Sequence, residues 1–238
     1  MKKEKLIVCG DVHGKLSTLV WKLAEQYKYT NIDVLILGDL GAGFGRPKSL
    51  DVMYSSIKKR LESRNIDLYT IRGNHDNPDF FNGTVNFPKL HLIPDHTIIE
   101  LCGFTIYPIG GGTSEDQEFR KKYNKRYQEY GSEKRIWWEG ERPTQIFEPD
   151  LPLKVDIIAS HIAPISFRPI AEKIENIDPP VWDMVVEDRT YLEHVLNETR
   201  AAYWFYGHYH ESQAGEFGSL IYRCLGELEL LEVEKREI

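Results

Sequence analysis

Five short apolar segments of this sequence are each followed by side chains that bind metal ions or transfer protons. These side chains are Asp11 and His13, Asp39, Asn74 and His75, His161, and His208 and His210. Carboxylate, amide and imidazole groups form a mixed oxygen and nitrogen ligand set that suits Mn, Fe or Zn, and no thiolate is among them. The chemistry indicated is the binding of divalent cations, with His75 available for proton transfer.

The candidate ligands are more numerous than one transition-metal ion needs. All of these side chains except His75 fit a pair of ions that share one carboxylate. Asp39 is our choice for the shared ligand, because its strand should lie between the strands that carry Asp11 and Asn74. Two ions about 3.5–4 Å apart clamp the attacking and leaving oxygens of a displacement at phosphorus.

The alternative interpretation is that these are ordinary turn residues. Glycine, asparagine and aspartate in the stretch 73–76 all favour turns. However, five of the eight histidines lie at these strand ends, whereas His91, His96 and His194 have no such partners. The pattern therefore favours a functional site, and we assign Asp76 a supporting or turn role.

The elements that must position these residues alternate between strands and helices in the first third of the chain. Apolar runs predict strands at 6–9, 34–37 and 68–71, and helical periodicity predicts helices at 15–27 and 49–64. This order predicts a parallel sheet. Ligands bind beyond the carboxyl ends of parallel strands, so the polar residues should converge at one edge.

After Pro88 the predicted strands follow one another with few helices between them. They are at 90–93, 97–101, 104–109, 155–160, 203–206, 220–225 and 228–233, with a helix at 190–199. The economical arrangement is an α/β fold of four layers, αββα, in which two mixed β-sheets pack face to face and helices flank them. We expect a single domain over 1–238.

An inserted segment at 110–150 is densely charged and aromatic. Phe119, Tyr123, Tyr127 and Tyr130 recur at helical spacing, so we expect a cap-like helix whose aromatic stripe packs on the body of the protein. Arg120 lies four residues after Asp116 and could share a helix face with it. Arg120 could either grip a substrate phosphate or form a surface ion pair.

Composition limits the partners of the protein. The formal charge of −7 argues against nonspecific nucleic-acid binding but does not exclude a phosphate-bearing substrate. No apolar run reaches the ~18 residues of a membrane span, and the first residues lack the apolar core of a signal peptide. We therefore expect a cytoplasmic protein with no membrane partner and no obligate protein partner. Three widely spaced cysteines predict buried thiols.

The five motifs, taken in order, resemble the signature of the calcineurin-like metallophosphoesterase superfamily. They are Asp11-Val12-His13, Gly38-Asp39, Gly73-Asn74-His75-Asp76, Ser160-His161 and Gly207-His208-Tyr209-His210. The resemblance implies a double-sheet sandwich flanked by helices and two divalent ions. It implies that Asp11, His13, Asp39 and His210 hold one ion, and that Asp39, Asn74, His161 and His208 hold the other. His75 would assist the phosphoryl oxygen or the leaving group instead of binding metal.

The sequence departs from one branch of that superfamily. Ser/Thr protein phosphatases have a further aspartate that orients the catalytic histidine, and Ala42 stands at that position here. This departure argues against a protein phosphatase and leaves open what holds His75. The Gly-Gly-Gly-Thr-Ser stretch at 110–114 and Trp137-Trp138-Glu139 resemble a bacterial and phage-type subgroup of the superfamily.

The function that we predict is metal-dependent hydrolysis of a phosphomonoester or phosphodiester. A hydroxide activated by the metal pair would attack phosphorus, with His75 assisting the leaving group. Mn is the preferred ion, with Fe or Zn as alternatives. The substrate would be a small phosphoester or a nucleotide. The alternatives are a hydrolase of nucleotide or dinucleotide polyphosphates, a nuclease of the same fold, or a non-catalytic metal-binding scaffold.

Overall fold

The computed structural model describes residues 3–46, 48–85, 87–167, 169 and 178–234. Its strands are β1 (Lys5–Cys9), β2 (Ile32–Ile36), β3 (Ile66–Thr70), β4 (Leu90–Leu92), β5 (Ile99–Leu101), β6 (Phe104–Ile109), β7 (Ile157–Ser160), β8 (Tyr203–Tyr206), β9 (Gln213–Phe217), β10 (Leu220–Cys224) and β11 (Leu230–Glu232). Its α-helices are α1 (Leu16–Trp21), α2 (Ser49–Arg64), α3 (Gln117–Glu129) and α4 (Pro179–Glu198). A π-helical segment, Lys22–Gln26, continues α1, and short 3₁₀ helices lie at Pro78–Phe81 and Ile165–Phe167.

The strands form two mixed sheets. The first has the order β11-β1-β2-β3-β4, in which β1 to β4 are parallel and β11 is antiparallel to β1. The second has the order β5-β6-β7-β8-β10-β9, with β6, β7, β8 and β10 parallel and an antiparallel strand at each edge. Most of the strands that were predicted to carry site residues therefore run in parallel in the middle of a sheet.

The apolar side chains separate the molecule into layers with the two-residue period of a strand. In β1, Ile7 packs with α1 and α2, whereas Leu6 faces the second sheet. In β8, Phe205 faces the first sheet, whereas Trp204 packs with α4. Three apolar clusters thus separate helix, sheet, sheet and helix, which confirms the predicted four-layer αββα fold.

The boundaries differ from the predictions in a few places. The helix predicted at 15–27 is α-helical only to Trp21, and the helix predicted at 190–199 begins at Pro179. Strand β9 was not predicted. The single-domain assignment stays a prediction, and the chain ends at 1–2 and 235–238 lie outside the described residues. None of the helices among the described residues is both long enough and apolar enough to cross a membrane.

The insertion contains α3, but the aromatic stripe of this helix does not pack on the body. Phe119 and Tyr130 are 56% and 77% exposed. The buried residues of α3 are instead Gln117 and Asn124. The side chain of Asn124 donates to the carbonyl of Trp137 and accepts from the backbone N–H at 136, so a polar face is held by hydrogen bonds. The predicted aromatic packing is therefore wrong.

Candidate metal centre

The seven side chains predicted as metal ligands come together where their strands end. They follow the carboxyl ends of β1, β2, β3, β7 and β8, and they form two adjacent groups on either side of Asp39. The convergence follows from the parallel order of these strands, which places all their carboxyl ends at the same edge of the sandwich.

The first group contains Asp11, His13 and His210, with Asp39 beside it. Nε2 of His13 lies 2.8 Å from Nε2 of His210, and Oδ2 of Asp11 lies 3.6 Å and 3.1 Å from these two nitrogens. Oδ2 of Asp39 lies 3.8 Å from Nε2 of His13. One ion could be reached by all four side chains.

The second group contains Asn74, His161 and His208, with the other oxygen of Asp39 beside it. Oδ1 of Asn74 lies 2.9 Å from Nε2 of His161 and 3.2 Å from Nδ1 of His208. Oδ1 of Asp39 lies 3.4 Å from Nε2 of His161. The two carboxylate oxygens of Asp39 therefore face different groups, an arrangement that would allow two ions to share this side chain.

The hydrogen bonds around His161 fix its tautomer. Its Nδ1 lies 2.8 Å from the carbonyl oxygen of Leu37, which can only accept, so Nδ1 carries the proton. Nε2 of His161 is thereby directed at the amide oxygen of Asn74, 2.9 Å away, and at Oδ1 of Asp39, 3.4 Å away. An imidazole nitrogen, an amide oxygen and a carboxylate oxygen converge here while the other ring nitrogen is held by a carbonyl, so the donor set fits a bound metal ion.

The backbone is unusual at four of the seven predicted ligands. Among the described residues, ten that are not glycine have a positive φ, and four of these are His13, Asp39, His208 and His210, with φ between 47° and 68°. This left-handed conformation is uncommon for residues other than glycine, although aspartate and histidine adopt it more often than most, and it is retained where the surrounding structure enforces it. Four such residues among seven predicted ligands distinguish this region from ordinary connections between a strand and a loop.

The pKa values of Asp11 and His208 suit cation binding, whereas, despite burial, Asp11 raises the pKa of His13 and His210, so a cation would displace protons from these two imidazoles. Burial opposes ionisation of Asp11, but hydrogen bonds from His13 and His210 outweigh it and hold the pKa of Asp11 well below its usual range. Burial, reinforced by the nearby His161, lowers the pKa of His208 to about 3. A carboxylate and a neutral imidazole are the forms that bind metal ions.

Two glycines allow the backbone to approach the carboxylates closely. A Cβ at Gly73 would overlap Oδ1 and the backbone nitrogen of Asp39, and a Cβ at Gly207 would overlap Oδ1 of Asp11. Backbone N–H groups close to these glycines reach the same carboxylates. His75 N donates to Oδ1 of Asp39 at 2.8 Å, and His208 N lies 3.1 Å and 3.2 Å from the oxygens of Asp11.

His75 is held by an aromatic ring and a guanidinium. Its ring stacks on Phe44 at a centroid distance of 5.0 Å and an interplanar angle of 18°. Nη2 of Arg120 lies 2.8 Å from Nε2 of His75, and Nε of Arg120 lies 2.6 Å from Asp116. Burial lowers the pKa of His75 to about 4, and Arg120 contributes to the decrease. Ala42 has no carboxylate that could orient His75 as the aspartate of the protein phosphatases does. The contacts with Phe44 and Arg120 hold His75 instead.

Arg120 forms an ion pair with Asp116, but it is mostly buried and also lines a pocket. Its side chain is only 11% exposed, and it lines a pocket of about 260 Å³ together with Asp39, Asn74 and His75. Its Nη1 atom is buried and has no hydrogen-bond partner among the described residues. Of the two alternatives raised by the sequence, the ion pair with Asp116 is present, and the remaining nitrogens of the guanidinium lie beside the candidate metal centre. Binding of a substrate phosphate by Arg120 stays a prediction.

Asp76 supports the loop that carries the predicted bridging ligand. Its carboxylate accepts backbone N–H groups of Leu40, Gly41, Ala42 and Gly73 at 2.7–3.2 Å. Burial, together with the nearby Asp39, raises the pKa of Asp76 to about 6. The sequence analysis assigned Asp76 a supporting or turn role, and its hydrogen bonds to the backbone of this loop agree with that role.

Two residues of the insertion position Asn74, and sequence reasoning missed both. Nδ2 of Asn74 donates to Oγ of Ser114 at 2.9 Å, and Oγ of Ser114 donates to Glu141 at 2.6 Å. Glu141 also accepts the N–H of Ser114, and burial raises the pKa of Glu141. These bonds hold the amide with its oxygen toward the histidines. The Gly-rich stretch before Ser114 was the only local signal.

Comparison with known proteins agrees with this geometry. Residues 4–212 match the family model described as calcineurin-like phosphoesterase. Among solved structures, the chain is similar to TT1561 of Thermus thermophilus, with 12% identity, a TM-score of 0.52, and coverage of 98% of this chain and 99% of that one. It also matches the phosphopantetheinyl hydrolase of Mycobacterium tuberculosis, with 13% identity, a TM-score of 0.49, and coverage of 94% and 90%. No curated protein matches the sequence.

The family match spans most of the chain and includes every predicted ligand. The protein therefore belongs to the calcineurin-like phosphoesterases, a family of metal-dependent phosphoesterases. The similarity to the Thermus structure supports the same fold.

Proposed function

We propose that this protein hydrolyses a small phosphoester by means of two divalent cations held at the ends of its parallel strands. The observation that carries the proposal is the position of Asp39, whose two oxygens face two separate groups of ligand atoms. Asp11, His13 and His210 would complete one site, and Asn74, His161 and His208 the other.

The donor set also favours particular ions. Imidazole and carboxylate groups without thiolates suit Mn, Fe or Zn, and we expect Mn to support activity best. When bound, two such ions supply Lewis acidity on both the attacking and the leaving oxygen of the displacement.

The protein's own residues would bind and orient the phosphoryl group. The guanidinium of Arg120 donates to Nε2 of His75. A phosphoryl group in this pocket would offer stronger, anionic acceptors to Arg120, because charge-assisted hydrogen bonds are about twice as strong as neutral ones. Arg120 would then hold the phosphate with Nη1 and Nη2, and His75 would be released.

His75 would complete the reaction at the leaving oxygen. Water adds its oxygen to phosphorus, and the bond from phosphorus to the alcohol oxygen breaks. Nε2 of His75, which is neutral at the start because its pKa is about 4, would take up the proton that the water loses and pass it to the alcohol oxygen. Nε2 of His75 lies 3.9 Å from Asp39, so its edge faces the centre at which phosphorus would bind. Stacking on Phe44 fixes the plane of the imidazole during this transfer.

The experiment that tests the proposal measures metal content and activity in the same samples. Purified protein should retain two Mn²⁺ per chain after dialysis and hydrolyse a model phosphoester, and chelation should abolish the activity. His75→Ala should keep the metal and lose roughly 10²- to 10⁴-fold in kcat. Asp39→Ala should lose both metal and activity. Full activity in both variants would refute the mechanism.

A substrate panel separates the enzyme from its alternatives. Phosphomonoesters, cyclic and linear diesters, dinucleoside polyphosphates and single-stranded DNA should be assayed with Mn²⁺, Zn²⁺ and Fe²⁺. The proposal predicts hydrolysis of small esters and little cleavage of DNA, since the chain is acidic overall. Metal retention with no hydrolysis of any substrate would indicate a binding scaffold instead.

A further inference from the structure

A second pocket lies next to the metal centre and shares His75 with it. Its volume is about 250 Å³. His13 and His75 form the wall toward the metal centre, and Phe44, Met53 and the glycines at 14 and 41 form much of the remainder. We call this the Phe44 pocket. The proposed chemistry uses the side chains of its two histidines but places no part of the substrate in this pocket.

The walls of the Phe44 pocket are mostly apolar. The ring of Phe44 stacks on His75, and its centroid lies 6.2 Å from that of Trp138. The thioether of Met53, on α2, lies close to Gly14. No aspartate, glutamate, lysine or arginine among the described residues lines this pocket, whereas Arg120, Asp116 and metal ligands line the neighbouring one. An apolar wall with few polar groups is typical of a site that binds an uncharged organic group.

His75 lies between the two pockets, and the leaving oxygen of an ester likewise lies between its phosphoryl group and its organic group. If the proposed function holds, the phosphoryl group lies beside Asp39 and Arg120, and the leaving oxygen lies beside His75. The organic group attached to that oxygen must then extend past His75. His75 lines both pockets, so an organic group that extends past His75 from the pocket beside Asp39 and Arg120 enters the Phe44 pocket.

Its size limits what can bind. A cavity of about 150 Å³ is sufficient for a benzene ring, so the Phe44 pocket at about 250 Å³ has room for one substituted ring. We infer that the Phe44 pocket binds the alcohol portion of the substrate, and that the preferred substrates are phosphoesters of uncharged aromatic or alicyclic alcohols. This inference rests on the proposed function.

The test compares two inert phosphonates that differ only in the organic group. Binding of phenylphosphonate and methylphosphonate to the Mn²⁺-loaded protein is measured by titration calorimetry. The phenyl compound should bind roughly 10- to 100-fold more tightly, because burial of a ring of this size removes its apolar surface from water. The ratio of the two dissociation constants is the readout, so changes in metal or phosphate affinity cancel.

Substitutions on α2 test whether the preference for phenylphosphonate over methylphosphonate depends on the Phe44 pocket. Met53→Gln keeps the length of the side chain but adds an amide, and it should reduce the ratio severalfold. Met53→Leu, which stays apolar, should retain the preference and shows that the site tolerates substitution. Val52→Gln is the matched control, since Val52 is 70% exposed and precedes Met53 on the same helix.

The outcomes separate this inference from the proposed function. If Mn²⁺ and methylphosphonate bind but phenylphosphonate binds no more tightly, or if Met53→Gln and Val52→Gln give the same ratio, the assignment of the pocket is refuted and the proposed function stands. If the wild-type protein binds neither Mn²⁺ nor either phosphonate, both are refuted. A wild-type preference that Met53→Gln reduces, and that Met53→Leu and Val52→Gln retain, supports the inference.

Discussion

Replacing Ser114 by alanine should weaken one of the two metal sites without touching a ligand. Oγ of Ser114 accepts from the amide nitrogen of Asn74 and donates to Glu141, and Ser114 is almost fully buried. Without this hydroxyl, the hydrogen bond that holds the amide nitrogen of Asn74 away from His161 and His208 is lost. An amide turned by half a rotation would present hydrogen-bond donors to the histidines in place of its oxygen.

The size of the effect can be worked out from these contacts. Residues that position a metal ligand typically contribute about 10- to 100-fold in affinity, which corresponds to about 1.4–2.8 kcal/mol. Unfolding should also become easier. The lost bond from Asn74 contributes about 0.5–1.5 kcal/mol and the lost bond to the Glu141 carboxylate about 1.5–3 kcal/mol, so the expected decrease in stability is about 2–4.5 kcal/mol.

Ser166 offers a matched control. Its N–H and hydroxyl both donate to the carboxylate of Glu193, as those of Ser114 donate to Glu141, but no metal-ligand side chain among the described residues depends on it. Mn²⁺ titration by calorimetry should show one site weakened in Ser114→Ala and neither site changed in Ser166→Ala. Urea unfolding of the metal-free proteins measures the stability term. If Ser114→Ala binds both ions within twofold of the wild-type affinity, the positioning role is wrong.

Three further predictions follow from single contacts. Arg120→Gln should raise KM roughly 10- to 150-fold through loss of a charge-assisted hydrogen bond, with metal content unchanged; KM within twofold of wild type would contradict its role. Gly73→Ala should lose Mn²⁺ on elemental analysis, because the new methyl overlaps Asp39, whereas Gly140→Ala, where the methyl meets only ordinary contacts, should retain it. Burial raises the pKa of Asp67, but hydrogen bonds from two lysines and a histidine outweigh it, and the net pKa is lowered. The stability that this carboxylate contributes is therefore present above about pH 4 and is lost as the pH falls through the folded pKa. Asp67→Asn should cost about 1–3 kcal/mol at pH 7, and urea unfolding should show the difference from wild type shrinking below about pH 4.

The positions of the predicted ligands followed from the sequence because each comes directly after a buried strand. Parallel strands place their carboxyl ends together, so Asp11, Asp39 and Asn74 had to lie near one another once the strands were recognised. His161 and His208 followed by the same rule in the second sheet. The fold class was predictable for a related reason, since the order of strands and helices restricts the possible arrangements.

What the sequence could not show depends on contacts between distant segments. Ser114 lies 40 residues from the asparagine that it holds, and no local spacing connects the two. The contact between Arg120 and His75 likewise spans 45 residues. Phe44 could not be matched to His75 because ring stacking has no signature in a single sequence.

The error in α3 has a different origin. Periodicity reports which residues share a face of a helix but not which face meets the rest of the protein. Tyr123 and Phe119 pack against each other along the helix, with ring centroids 4.4 Å apart. The face of Asn124 is buried because its amide satisfies backbone groups at 136 and 137 that would otherwise be unpaired.

The residues with left-handed backbone conformation at the candidate metal centre limit the stability that this protein can reach. Each such position carries about 1–3 kcal/mol of conformational cost, and four of the predicted ligands have it. Glycine at His13 or His210 would relieve this cost and remove a ligand in the same step. Selection for heat resistance alone would therefore favour substitutions that remove metal ligands at these positions. The variants that unfold at the highest temperature should be among those that no longer hydrolyse substrate.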